Sequence, residues 1–144
     1  MKRFHRLILT IGGVLNLSMF IFHATFWRIL DWKVTLTPLD EKNRVTIQML
    51  NIGVMVMLLL MTHLSLFHKK ALVESRLGKT ILVWFMLFYL VRIAEELIFV
   101  KFKIIPSGLI LLACALMAAI YFIPAIYRRG LSEISGRSYS SASM

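Results

Sequence analysis

The stretch Val91-Arg92-Ile93-Ala94-Glu95-Glu96-Leu97 sets three ionisable side chains into otherwise apolar surroundings. On a helix, an arginine reaches carboxylates three or four positions further along, so Arg92 can pair with Glu95 or Glu96 but cannot neutralise both. The surplus carboxylate is costly in an apolar medium and has to be protonated or meet a cation. His23 and Asn51, in two other apolar stretches, are the polar groups best suited to meet it. Imidazole and carboxyl together can pass a proton, arginine can hold an anion, and an amide can orient a partner. His23, Asn51, Arg92, Glu95 and Glu96 therefore form the candidate ligand or proton site. Asn16, Trp27, Gln48 and Tyr89 are its expected lining.

Positioning these groups is the task of the apolar blocks, at about 7–30, 45–67, 80–100 and 106–127. Each approaches the ~20 residues that cross a hydrocarbon core of ~30 Å. Of the 144 residues 59% are hydrophobic and the mean hydropathy is +0.79, too apolar for a soluble domain. The fold class expected is all-α: an integral membrane, antiparallel four-helix bundle over residues 1–130. A polar, Ser-rich and disordered tail is expected over 131–144.

With each block centred, Arg92 lies about 3 Å outward of the membrane midplane. His23, Asn51, Glu95 and Glu96 lie ~8–9 Å outward by the same arithmetic. Helical spacing also aligns Gly13, Asn16, Phe20, His23 and Trp27 on one face, and Gln48, Asn51, Met55 and Thr62 on another. Three helices thus offer polar groups to one layer in the outer half of the membrane.

Orientation follows from the basic residues. Lys2, Arg3, Arg6, Lys69, Lys70, Arg76, Lys79, Arg128, Arg129 and Arg137 flank one side, ten in all. Arg28, Lys33, Lys42, Arg44, Lys101 and Lys103 make six on the other. The richer side is cytoplasmic, which places both termini inside, and the expected location is a bacterial inner membrane. The net charge of +10 serves this orientation, and no nucleic-acid partner is expected because a basic patch with aromatic platforms is missing.

Helix signals set the expected boundaries. Thr37-Pro38-Leu39-Asp40 reads as an N-cap followed by a first-turn proline, so the second helix should run from Pro38 to Phe67. Residues 68–79 read as an inner loop, and Pro106 as the first helical residue of the fourth span. Trp27 and Trp32 suit an outer aromatic belt. No cofactor or metal is expected. His23 lies in the outer half, His63 in the inner half, and His5 and His68 at the inner boundary, so no pair suits an intramembrane haem. Cys114 reads as a packing residue. The spacings Cys114/Ala118 and Ala115/Ala119 offer small-residue faces for close helix contact, within the bundle or in a homo-oligomer.

Three functions fit the pattern. The outer cluster binds a small polar or amphipathic ligand with proton exchange, or it serves a membrane-embedded acid–base enzyme acting on a lipophilic substrate. Otherwise the chain is a structural or assembly subunit whose Arg/Glu layer only sets helix packing. The expected partners are the lipid bilayer and a small-molecule or lipid ligand.

The orientation has a direct test in a Cys114→Ala background. Ser140→Cys should react with a membrane-impermeant maleimide only after the cytoplasmic face is opened, whereas Lys103→Cys should react in intact cells. Labelling of Ser140→Cys from outside would invert the assignment.

Overall fold

The structure, a computed structural model, describes residues 2–100 and 104–126. It is all-helical, 90% helix with no strand among the described residues. The helices are α1 (Lys2–Ala24), α2 (Phe26–Ile29), α3 (Trp32–Thr35), α4 (Glu41–Phe67), α5 (Lys69–Glu74), α6 (Arg76–Phe99) and α7 (Ile104–Ala125). Three segments among the described residues, Arg3–Ala24, Glu41–Phe67 and Ser107–Ala125, are long and apolar enough to cross a membrane. The tail 131–144 and the turn holding Lys101 and Lys103 lie outside the described residues.

The long helices form two lengthwise pairs, α1 with α4 and α6 with α7, and α1 meets α7 between them. Leu9, Met61, Leu82, Phe85, Met117 and Tyr121 make up the centre of the buried core. Large apolar side chains such as Ile11, Val56, Leu90 and Leu112 stand exposed on the outside. A soluble protein rarely leaves so much contiguous apolar surface uncovered, and a lipid-facing one does so throughout.

Several helix ends differ from the sequence expectation, each for a local reason. The first helix stops at Ala24, where the Thr25 hydroxyl donates to the Phe22 carbonyl at 2.6 Å and competes with the helical ladder. The chain then makes two short turns, α2 and α3, joined at Asp31 in the left-handed region (φ 44°), which a short polar side chain tolerates best. Behind this turn Trp32 is buried against Trp27, with ring centroids 4.9 Å apart.

The second long helix starts at Glu41, and its cap is Asp40, not Thr37. Asp40 accepts from the Asn43 backbone at 2.9 Å and from the Asn43 side chain at 2.7 Å. The Thr37 hydroxyl is engaged elsewhere, donating to the Lys33 carbonyl at 2.7 Å. The segment 68–79, expected to be a loop, contains a further helix, α5, which buries Leu72 and Val73. The fourth long helix starts at Ile104, two residues before Pro106, which falls within the first turn where its missing N–H costs nothing.

Between α5 and α6, Ser75 Oγ accepts from the Gly78 N–H and donates to the Ala71 carbonyl, both at 2.8 Å. This corner is tight. A Cβ on Gly78 would overlap the Ala71 oxygen and stand 2.5 Å from Leu72 Cα, and backbone atoms cannot yield as a flexible side chain would. Gly78→Ala is therefore expected to destabilise by about 2–3 kcal/mol. Gly53→Ala, where a Cβ meets nothing within 4 Å, should stabilise by up to about 1 kcal/mol. Unfolding in mixed detergent reads both, and equal effects would refute the tight corner.

Candidate functional site

Polar groups from all four long helices meet in the centre of the molecule. Asn16 on α1, Ser65 on α4, Tyr89 on α6 and Tyr121 on α7 are all buried. The Tyr89 hydroxyl donates to Asn16 Oδ1, and Asn16 Nδ2 donates to the Tyr121 oxygen. Tyr121 and Ser65 share a further hydrogen bond at 3.1 Å. The two tyrosine rings lie nearly parallel, 6.3 Å apart, and Phe85 meets Tyr121 edge-on at 5.2 Å.

Two adjacent glycines one turn earlier on α1 make this approach possible. A Cβ on Gly12 would lie 2.7 Å from Ile120 on α7, and one on Gly13 would lie 2.6 Å from Leu66 on α4. Gly12 and Gly13 therefore admit a neighbour on each side of α1. The sequence reading named Asn16 and Tyr89 as lining but did not include Ser65 or Tyr121. The available signal for Tyr121 was a phenol in an apolar helix, because a buried tyrosine hydroxyl needs a partner.

Further along the chain, the end of α1 and the short α2 are joined to α4 by a second set of bonds. His23 Nδ1 and Asn51 Oδ1 are 2.8 Å apart, and Asn51 Nδ2 donates to the His23 carbonyl at 3.2 Å. Trp27 Nε1 donates to Gln48 Oε1 at 3.2 Å. Phe26 lies against the imidazole, with ring centroids 4.4 Å apart. Here the structure brings four of the sequence-derived residues together in two cross-helix pairs.

The ionisable trio on α6 is arranged as an asymmetric fork. Arg92 lies 3.2 Å from Glu96 and 3.6 Å from Glu95. The Glu96 side chain is 3% exposed and that of Glu95 52%, so Glu96 turns into the protein and Glu95 outward. No hydrogen bond or ion pair among the described residues joins His23 or Asn51 to this trio.

A common helical register nevertheless relates the two sets. Both α1 and α6 start beside α5, since Arg6 bonds Glu74 at 3.1 Å and Ser75 caps α6, so they run in the same direction. Asn16 and Tyr89 are bonded, and His23 and Glu96 each lie seven residues further on. Seven residues advance about 10 Å and return to within about 20° of the starting face. His23 and Glu96 thus each lie two turns beyond the central bond, on the face of their own helix that carries Asn16 or Tyr89.

Other sequence-derived groups separate. Cys114 and Ala118 are buried in the core, while Ala115 and Ala119 remain on the exposed surface of α7. Among the described residues there is no group of three or more His, Cys, Asp or Glu able to hold a metal ion.

Tyr121→Phe tests the central network. It leaves the Asn16 amide and the Ser65 hydroxyl short of a partner and should cost about 1–3 kcal/mol. Combined with Asn16→Ala the loss should be less than additive by about 1 kcal/mol. Strict additivity in equilibrium unfolding would mean that the two side chains do not interact. Compared with known proteins, the chain matches no protein-family model, no curated protein and no solved structure.

Proposed function

We propose that the chain is a four-span membrane bundle with both termini in the cytoplasm, and that its outer-half layer binds a small polar or amphipathic ligand with proton exchange. The observation that carries this reading is the shared register of His23 and Glu96 above the Asn16–Tyr89 bond. It brings a base, a buried carboxyl, an arginine and an amide to one level from three helices. Ionisable groups inside a membrane are costly, and such groups mark ligand or proton sites more often than random placement would.

The roles follow from the geometry. Glu96, buried and paired with Arg92, is the proton-accepting carboxylate. Arg92 is either the contact for a ligand anion or, as its 3.2 Å approach to Glu96 favours, an internal counter-ion. His23 shuttles the proton and Asn51 orients the imidazole. Glu95, facing outward, tunes the charge on Arg92 from the periphery.

The structural-subunit reading has one observation in its favour, the closed hydrogen-bond network at the centre, which is what helix packing alone requires. Infrared difference spectra of the protein in lipid, recorded as pH is changed, separate the two readings. The ligand-site reading expects a protonated-carboxyl band that responds to pH, persists in Glu95→Gln and disappears in Glu96→Gln. If no glutamate band responds and Glu96→Gln only unfolds more easily, the layer is a packing device.

A further inference from the structure

The outer layer contains a hydrogen-bonding direction that no described residue fills. Asn51 donates from Nδ2 to the His23 carbonyl, and this fixes which way its amide points. The reversed amide would set two oxygens against each other. Asn51 Oδ1 therefore faces His23 Nδ1, 2.8 Å away. An amide oxygen only accepts hydrogen bonds, so the imidazole carries its proton on Nδ1. In the neutral ring Nε2 is then a bare lone pair on a half-buried side chain, and the hydrogen bonds found for His23 among the described residues are those to Asn51.

Charge at the same level adds a second requirement. Arg92 contributes one positive charge to two carboxylates, Glu95 and Glu96, leaving one negative charge in excess. Among the described residues, the groups bonded to or stacked on His23 are Asn51, Phe22 and Phe26, none of which is a cation. A ligand that suits both features has an N–H to donate and a positive charge.

We propose that the layer takes the protonated amine of an amphipathic molecule. One N–H of a primary or secondary ammonium donates to His23 Nε2, and the surplus carboxylate charge of the Arg92–Glu95–Glu96 fork balances the cation. The apolar tail lies in the surrounding hydrocarbon. This assignment rests on reading the layer as a ligand site, and it names the ligand's chemical class and the atom that selects it. Selection by Nε2 rather than by charge alone predicts that an ammonium with no N–H is rejected.

The test uses the full chain, labelled with ¹⁵N-histidine, in phosphatidylcholine vesicles. His23 signals are assigned by their loss in His23→Gln. The expected spectrum shows His23 protonated on Nδ1 with Nε2 bare. Decylamine should move the Nε2 resonance saturably, and decyltrimethylammonium, with equal charge and no N–H, should not. In Asn51→Leu the tautomer preference and the saturable response should both be lost. A proton on Nε2 in the unmodified chain, or equal responses to the two cations, overturns the proposal. A response to decanoic acid alone overturns the amine while leaving a ligand site in place. No response to any probe, together with a Glu96 band insensitive to pH, removes the ligand-site reading as well.

Discussion

The four long helices depend on one shared arrangement, the hydrogen bonds that converge on Asn16 and Tyr121. In an apolar medium a polar group without a partner is expensive, and water is not available to replace it. Apolar packing between helices is comparatively indifferent to rotation and sliding, because lipid tails satisfy a leucine as well as another helix does. The bonds among Asn16, Ser65, Tyr89 and Tyr121 are directional, and they close only when each helix presents one particular face at one particular height. Gly12 and Gly13 are the steric counterpart, bringing the backbones near enough for these short side chains to touch.

The two ends of the molecule are held differently. At the end where α1 and α6 start, α5 is tied to α1 by Arg6–Glu74 and by the Lys69 ammonium on the Thr10 hydroxyl at 2.9 Å. Ser75 and Gly78 then lock α5 to α6. At the opposite end the described bonds stay within a pair, His23–Asn51 and Trp27–Gln48 in one and the Arg92 fork on α6 in the other. Local stability follows the density of such connections. The candidate layer therefore sits where the two helix pairs are least constrained relative to each other.

The four apolar blocks were readable as helices because a run of about 20 apolar residues has few other uses. Their ends were not. Asp40 displaced Thr37 as a cap because a carboxylate engaged the whole of Asn43 while the threonine hydroxyl had a nearer carbonyl. The helix α5 was hidden because Lys69 and Lys70 made its segment read as a charged loop, although Leu72 and Val73 are buried. At the site, matched depth put His23 and Asn51 in one layer but aimed His23 at the surplus carboxylate, and neither the His23–Asn51 nor the Trp27–Gln48 bond was foreseen. Nor was the choice between Glu95 and Glu96. Adjacent residues point about 100° apart, and only the rotation of α6, held by Tyr89, decides which one is buried.

The 27 residues of α4 give that helix a length of about 40 Å, against about 35 Å for the 23 residues of α1. A hydrocarbon core of about 30 Å is shorter than either, so α4 must lean or extend into the headgroup region. Its polar first turns, from Asp40 to Gln48, extend at the end of the molecule where Trp27 meets Gln48. The height of this overhang depends on the lipid. A thicker bilayer draws the level of Asn51 deeper beneath the headgroups, and a thinner one lifts it toward water. On the ligand-site reading proposed above, access to the layer is in this way coupled to membrane thickness, and the surrounding lipid becomes part of the site's environment.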